Sequence, residues 1–233
     1  MNFELTAIGI VHSPFKEKFG TPRQPGLVSE ANCTIELLSP YDAQDALEGI
    51  EQFSHLWISF IFHKNKDKKW SPKVRPPRLG GNKSIGVFAS RSPYRPNPVG
   101  LSVVEFVGTR EENNKLLIDI KGADLVEGTP VLDIKPYIAY SDSIQQAKAG
   151  YAEQAPEAKL EVVFSQQAQQ QLQHAREQYP QLECFIRQVI ELDPRPAYAG
   201  NSEPGKQYGV KLLEFDVQWQ VVKGLATIIS LEQ

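Results

Sequence analysis

The sequence contains little cysteine, and this scarcity excludes one class of fold. Its 233 residues include only two cysteines, Cys33 and Cys184, which lie far apart. A small secreted scaffold held by a disulfide framework is therefore excluded. The first six residues lack the basic and apolar stretches of a secretory leader, and the apolar run at 56–62 is far too short to span a bilayer. We expect a cytoplasmic protein with no membrane segment.

The common nucleotide-binding and catalytic motifs are absent too. No Gly-x-Gly-x-x-Gly or Walker loop occurs, so a Rossmann or P-loop fold lacks its main support. His55 and His63 are eight residues apart and offer no spacing typical of a metal site. Ser54 and Ser90 lack the nucleophile elbow or ordered triad of a hydrolase. We expect no metal, and a hydrolase is only a remote alternative.

What the sequence does contain is one concentrated block of positive charge. Residues 63–95, which we call the basic block, hold ten of the 25 lysines and arginines and a single acid, Asp67. The block carries +9, which leaves −12 for the rest of a chain whose net charge is −3. Such a patch attracts a polyanion without making the whole molecule basic. It suggests a nucleic-acid partner, although a run of lysines alone is also typical of a solvated loop.

An aromatic residue, Trp70, lies among these cations. Aromatic rings stack on unpaired bases while cations neutralise phosphates, so an RNA loop fits this block better than a duplex. The candidate RNA contacts here are Lys66, Lys68, Lys69, Trp70, Arg75, Arg78 and Arg95.

Short strand patterns dominate the first 140 residues. They lie at residues 6–11, 33–37, 55–62, 85–89, 101–107, 116–120 and 131–134, separated by Gly, Pro, Asn and Asp. The run at 55–62 is nearly continuous, as in a strand covered on both faces. Six or more short strands with few helices predict a mainly β domain, either a sandwich or a closed barrel.

The composition then changes, and a second domain is predicted. A linker rich in Gln and Ala, residues 147–156, separates predicted domains at 1–145 and 158–233. The predicted elements after it are helices over 168–179 and 182–190, a strand over 213–221 and, after a Lys223-Gly224 turn, a strand over 226–229. The second domain is therefore a small α+β unit.

A cluster of acids marks residues 124–137. Asp124, Glu127 and Asp133 surround a short apolar strand pattern. A tight turn that feeds a core strand would explain the glycine and prolines of this segment. It explains the three acids less readily. A carboxylate that binds a cation, or that accepts hydrogen bonds from a ribose or an amine, is the alternative.

Several ordered blocks are more specific than these patterns. They are Ile8-Gly-Ile-Val-His-Ser-Pro-Phe15, Pro22-Arg-Gln-Pro-Gly26, Phe53-Ser-His-Leu-Trp57, Arg75-Pro-Pro-Arg-Leu-Gly-Gly81, Gly86-Val-Phe-Ala-Ser-Arg-Ser-Pro93, Arg95-Pro-Asn-Pro-Val-Gly100 and residues 124–137. Together they resemble the TsaA-like (TrmO) family of bacterial tRNA adenine N6-methyltransferases over residues 5–140. The tail, with Asp193-Pro-Arg-Pro-Ala-Tyr198, resembles the longer bacterial members.

This resemblance implies a fold, a cofactor and a substrate. The fold is a closed antiparallel β-barrel, distinct from Rossmann methyltransferases, and the methyl donor is S-adenosylmethionine, bound in a homodimer whose interface helps to shape the donor site. The implied substrate is N6 of threonylcarbamoyladenosine at position 37, beside the anticodon of threonine tRNA. The implied donor contacts are Pro22, Arg23, Gln24, His63, Lys64, Arg91, Leu101, Asp124, Leu125, Val126, Glu127 and Gly128.

The chemistry of this reaction suggests roles for some residues. Transfer from a sulfonium needs no metal, because alignment and exclusion of water carry much of the catalysis. The modified N6 is amide-like, so a proton acceptor should assist the transfer. Arg91 and Arg95 could each grip a carboxylate, either of the donor or of the threonyl group. The candidate proton acceptors are Asp124, Glu127, Asp133 and Tyr137.

The role of the second domain stays open at this point. Arg195 and Tyr198, with Lys206 and Lys211 nearby, are candidate tRNA contacts, and a purely stabilising appendage is the alternative. A non-enzymatic barrel that binds RNA or a small ligand would also account for the basic block. The leading interpretation is an S-adenosylmethionine-dependent tRNA methyltransferase.

Overall fold

A computed structural model describes residues 2–65, 69–195 and 205–233. The first part, the barrel unit, contains β1 (Gly9–His12), β2 (Asn32–Leu37), β3 (His55–Ile61), β4 (Lys73–Val74), β5 (Ile85–Gly86), β6 (Val99–Glu112), β7 (Lys115–Lys121) and β8 (Thr129–Pro136), followed by α1 (Ala139–Asp142). The second part, the C-terminal unit, contains β9 (Glu161–Phe164), α2 (Gln166–Ala175), α3 (Leu182–Glu191), β10 (Gln207–Leu212), β11 (Phe215–Val222) and β12 (Leu225–Glu232).

Six strands of the barrel unit form one antiparallel sheet. Its order is β1-β2-β7-β6-β3-β8, and β1 also pairs with β8, so the strand pairing closes into a ring. Closure removes the sheet edges that could pair with another chain. The prediction of a mainly β protein built on an antiparallel sheet is confirmed.

Alternate side chains along the strands are apolar and fill the inside of this ring. Val11, Ile35, Ile58, Ile118 and Val131 have no exposed surface and belong to one apolar core. Burying a side chain of this kind stabilises the fold by about 1.5–3 kcal/mol. The core gives the loops at either end a rigid base.

The outer face of β3 is less covered than the sequence predicts. Leu56, Ile58 and Phe60 point into the core, whereas Trp57 and Ile61 are only half-buried. The apolar run at 55–62 is therefore an alternating strand with a second apolar face, and within this chain that face is only partly covered.

The C-terminal unit is a four-stranded sheet with helices packed on it. Its order is β10-β11-β12-β9, and β9 runs parallel to β12. Ile186 of α3 and Ala168 of α2 are buried in one core with Trp219 of β11. Ser165 caps α2, since its hydroxyl accepts the N–H of Ala168 at 3.1 Å. No helix of the described residues is long and apolar enough to cross a membrane.

Two details differ from the predicted elements. The sequence pattern does not indicate strand β10, and Leu213 lies in the turn after it with φ +53° instead of opening β11. This turn lacks the Gly or Asn that usually marks a positive φ, so the sequence carries no signal for it. The predicted strand at 85–89 is only two residues long and continues as a 3-10 turn, Val87–Ala89.

Candidate active site

Three loops meet at one end of the barrel. Neighbouring strands run in opposite directions, so β1, β3 and β7 end where β2, β6 and β8 begin. The loops that cross this end are residues 13–31, 62–98 and 122–128, and we call it the loop rim. These loops hold every predicted donor contact except Leu101, which lies near the start of β6.

Asp124 lies in the last of these loops and contacts the barrel wall. Its Oδ1 accepts a hydrogen bond of 2.6 Å from the hydroxyl of Ser102, a buried residue of β6. Burial raises the pKa of Asp124, while the Ser102 bond and the positive charge of Arg91 act in the opposite direction. A carboxylate with a raised pKa binds a proton more tightly than an ordinary surface acid does, as a general base must.

Arg91 joins two loops of the rim. Its Nη1 donates to Oε1 of Gln24 at 2.6 Å, which links residues 62–98 to residues 13–31. The guanidinium is exposed, so a planar anion such as a carboxylate can approach it. Three predicted donor contacts, Gln24, Arg91 and Asp124, thus come together from three separate loops.

The Glu127 carboxylate contacts three residues at the end of β1 and the start of loop 13–31. Its carboxylate accepts the Ser13 N–H at 2.6 Å and Nζ of Lys16 at 3.0 Å, and lies 3.3 Å from Nδ1 of His12. Burial alone would raise the pKa of Glu127, but these three partners hold it below its usual value. A carboxylate of this kind stabilises the loop around it, and it is a weak proton acceptor.

Ser13 is a site residue that the sequence did not indicate. Its buried hydroxyl donates to the carbonyl of Leu125 at 2.6 Å and accepts the Phe15 N–H at 3.1 Å. With its N–H on Glu127, this one residue makes two contacts with loop 122–128. A serine before a proline is common in turns, so the sequence carried no specific signal.

The start of loop 62–98 is fastened to loop 13–31. Nζ of Lys64 donates to the carbonyl of Lys16 at 2.9 Å, and Nζ of Lys18 donates to the carbonyl of Lys64 at 2.6 Å. Lys18 also contacts the buried side chain of Asn65. These bonds place the short 3-10 turn His63–Asn65, with the predicted donor contacts His63 and Lys64, at the rim.

Comparison with known proteins assigns this arrangement to a family. The model of the tRNA-methyltransferase O N-terminal domain matches residues 10–143, and that of the TrmO C-terminal domain matches residues 157–233. The chain belongs to the tRNA-methyltransferase O family. The resemblance inferred from the sequence is confirmed, as is the predicted enzyme class, an S-adenosylmethionine-dependent tRNA methyltransferase.

Relatives in this family are similar along the whole chain. The tRNA (adenine(37)-N6)-methyltransferase of Escherichia coli K12 is 47% identical over 231 residues, which cover 99% of this chain and 98% of that one. A putative S-adenosylmethionine-dependent methyltransferase, RcsF, of Pseudomonas aeruginosa is 47% identical over 94% of this chain and 93% of its own. The crystal structure of TrmO from P. aeruginosa has a TM-score of 0.82 at 37% identity, with 100% of this chain and 99% of that chain covered.

The residues at the loop rim fit the methyl donor of the tRNA-methyltransferase O family. The amino-acid end of S-adenosylmethionine carries a carboxylate, which matches the exposed guanidinium of Arg91, and its cationic groups match the carboxylate of Asp124. The cavity of about 750 Å³ elsewhere in the barrel unit is lined by other residues, including Tyr41, Leu47 and Asp133. None of the predicted donor contacts lines that cavity.

Two predicted proton acceptors lie away from the rim. Asp133 is in the second half of β8, opposite Ser59, and forms an ion pair with Lys135. Tyr137 follows β8 at the other end of the barrel, with its ring 6.0 Å from that of Trp57. At about 3.3 Å per residue, the eight steps from Thr129 to Tyr137 span roughly 26 Å. Of the four candidates, the structure brings only Asp124 and Glu127 to the rim.

The basic block makes up nearly all of loop 62–98. Lys69, Trp70 and Arg75 are exposed around the β4–β5 ribbon, as RNA contacts require, and Trp70 has 51% of its surface open. Arg78 is exposed too, and its guanidinium donates to the carbonyl of Gln154. Lys66 and Lys68 lie outside the described residues.

Arg95 and Arg195 are occupied by partners inside the protein. Nη1 of Arg95 donates to the carbonyls of Ser90 at 2.7 Å and Val87 at 3.2 Å, so it shapes its own loop. Arg195 binds both oxygens of Asp193, at 2.7 and 2.9 Å, and its side chain is only 10% exposed. Tyr198 lies outside the described residues. In the part of the chain that the structure describes, no cluster of three His, Cys, Asp or Glu side chains could hold a metal ion.

Proposed function

We propose that the protein methylates N6 of threonylcarbamoyladenosine at position 37, next to the anticodon of threonine tRNA. The observation that carries this proposal is the meeting of Gln24, Arg91 and Asp124 at the loop rim, beside the exposed basic block. The E. coli relative named for adenine-37 methylation supports the position and the acceptor atom. The threonylcarbamoyl group and threonine tRNA are inferred from the family resemblance.

Asp124 is the proton acceptor of the proposed reaction. When bound, S-adenosylmethionine supplies a methyl group on a positively charged sulfur. Asp124 would take the N6 proton as the methyl group passes from the donor sulfur to N6. Ser102 binds Oδ1 of Asp124, and Oδ2 would be the oxygen that accepts the proton. Arg91 holds the donor carboxylate, and the remaining rim contacts exclude water.

The basic block docks the tRNA in this proposal. Lys69, Arg75 and Arg78 lie exposed around the β4–β5 ribbon and are suited to neutralise backbone phosphates, while the open ring of Trp70 can stack on an unpaired base. Because the same loop carries Arg91, RNA bound to the block is delivered to the donor. The location that this proposal implies is the cytoplasm.

A homodimer completes the proposed site. The partly covered outer face of β3 continues onto β6, where Val99 and Leu101 are 38% and 54% exposed. Leu101 points out of the barrel, whereas its neighbour Ser102 points in towards Asp124. A second copy packed on this face would cover it, and Leu101 would then lie within the interface.

Titration of the protein with S-adenosylmethionine in the absence of RNA tests the proposed enzyme directly. We expect saturable binding that is lost in Arg91→Ala, a variant whose exposed side chain leaves the barrel core intact. Arg110→Ala is the matched control, since Arg110 is an exposed residue of β6 that bonds Asp119 and Glu112, neither of which is a predicted donor contact. RNA binding without any donor binding would contradict the proposal and would indicate a non-enzymatic RNA-binding barrel.

A further inference from the structure

Loop 13–31 buries its apolar side chains in the core of the C-terminal unit. Phe15, Val28 and Ala31 are at most 1% exposed, and they belong to the same core as Ile186 and Trp219. The Phe15 ring lies 5.6 Å from that of Phe185 in α3, and the Phe19 ring stacks on Trp219 at 5.9 Å. The loop that carries Pro22, Arg23 and Gln24 is thus packed on the C-terminal unit.

Hydrogen bonds fasten the same loop to the C-terminal unit at both ends. Near its start, the N–H of Leu213 donates to the carbonyl of Pro14 at 2.7 Å, and the N–H of Lys211 donates to the Glu17 carboxylate at 3.1 Å. Near its end, the Gln188 side chain of α3 accepts the Glu30 N–H and donates to the Ser29 hydroxyl, both at 3.0 Å. The loop is held by contacts that the barrel unit does not supply.

At Gly20, loop 13–31 lies directly against strand β10. A Cβ placed on Gly20 would lie 2.6 Å from a methyl group of Val210 in β10, and its φ is +85°. Any larger residue would push this part of the loop off β10, three residues before Arg23. The loop and the C-terminal unit therefore fit together without spare room.

We propose that the C-terminal unit positions loop 13–31 for the methyl donor, so that residues far from the donor in β10 and α3 set donor affinity. This inference rests on the proposed function, because it takes Arg23 and Gln24 as donor contacts. It gives the C-terminal unit a role in the donor site that is separate from tRNA docking. Gly20 and Gln188 are positioning residues, and neither touches the donor.

Two glycine variants separate positioning from general destabilisation. Gly20→Ala adds both a positive-φ cost and the clash with Val210, whereas Gly224→Ala adds the same backbone cost at φ +83° with nothing within 4 Å. We expect Gly20→Ala to weaken donor binding by about tenfold or more, since a small displacement of binding groups is costly. Gly224→Ala should stay within about twofold of the unsubstituted protein, as a distant site does. Titration calorimetry below the unfolding temperature of each variant measures both.

A glutamine pair gives a second test that keeps the core intact. Gln188→Ala removes the two bonds to loop 13–31, and Gln171→Ala removes a comparable bond of 2.8 Å to the Leu231 N–H inside the C-terminal unit. We expect weaker donor binding only in Gln188→Ala, with similar unfolding temperatures for both variants. Equal affinities in each pair would overturn the inference and leave the proposed function intact. Absence of donor binding by the unsubstituted protein would overturn both.

Discussion

At the scale of single residues, two neighbouring acids of one loop are placed in opposite environments. Burial raises the pKa of Asp124, whereas the contacts of Glu127 with Ser13, Lys16 and His12 lower its pKa. Environments that separate the pKa values of two acids assign them different tasks. Asp124 is suited to accept a proton, and Glu127 is suited to hold the loop.

Asp124→Asn should abolish turnover without destabilising the protein. A pKa raised in the folded state means that the charged carboxylate opposes folding at any pH above its unfolded pKa, and that this cost disappears below it. Asparagine carries no charge and still accepts the Ser102 hydroxyl. We expect an unfolding temperature at pH 8 equal to or above that of the unsubstituted protein, measured by calorimetry alongside methyl transfer. Retained turnover would remove Asp124 from the mechanism.

Glu127→Gln should have the reverse effect on stability. A folded pKa below the unfolded one means that the carboxylate stabilises the fold above its unfolded pKa, and that this contribution is lost as the pH falls through the folded pKa. We expect a loss of about 1 kcal/mol at pH 7 that vanishes in acid, measured by denaturant unfolding across pH. The exposed Glu177→Gln is the control. An equal loss at acidic and neutral pH would contradict the ionic role of Glu127.

The sequence could predict part of this site and not the rest. The resemblance indicated Gln24, Arg91 and the acids of residues 124–128, because these lie in distinctive blocks. It could not separate Asp124 from Asp133, since both acids lie in one short segment, and only the fold shows that Asp124 precedes β8 at the rim whereas Asp133 lies within β8. Ser13 could not be predicted, because its role depends on contacts with residues more than 100 positions away.

At the scale of elements, β6 has two faces with different tasks. Ser102 and Val104 point into the barrel, while Val99 and Leu101 present an apolar surface to the outside. Apolar periodicity predicted the strands well where they cross the core. It failed at β10, where only Val210 and Leu212 are buried, and at the β4–β5 ribbon, which consists of only two residue pairs.

Leu101→Glu should prevent dimer formation and leave the fold intact. A charge in the centre of an apolar interface is costly to bury without a partner, whereas a strand that faces solvent tolerates it. Val107→Glu is the matched control, because Val107 is 59% exposed on the same strand, beyond the last residue of β6 that pairs with β3. We expect a monomer for Leu101→Glu and a dimer for Val107→Glu by sedimentation velocity. Equal masses for both variants would contradict the proposed interface.

At the scale of the whole molecule, the positive charge is concentrated in one segment of the chain, whereas one of the two hydrophobic cores is built from distant segments. The basic block concentrates +9 in one loop of a chain whose net charge is −3, and this asymmetry was visible in the sequence. The shared core of loop 13–31 and the C-terminal unit was not visible, because Phe15 and Trp219 are separated by more than 200 positions. The sequence shows where charged residues are concentrated, but only the fold shows that loop 13–31 packs on the C-terminal unit.

Neutralising the basic block should reduce the salt dependence of tRNA binding. The slope of log K against log salt should flatten by about 0.7–0.9 for every phosphate that the protein no longer neutralises. Lys69, Arg75 and Lys83 replaced together by Gln are expected to lower this slope while donor affinity is kept. Replacing the exposed Lys148, Lys159 and Lys223, which lie outside the block, is the control. An unchanged slope in the first variant would show that the block is only solvated.

The identity of the methylated nucleoside is the most direct measurement. The protein is incubated with methyl-labelled S-adenosylmethionine and tRNA from cells that lack this methylation, and the labelled nucleoside is identified after digestion. We expect the label on N6 of threonylcarbamoyladenosine at position 37 of threonine tRNA, and no label with Asp124→Asn. Label in any other nucleoside, or no transfer by the unsubstituted protein, would contradict the proposed reaction.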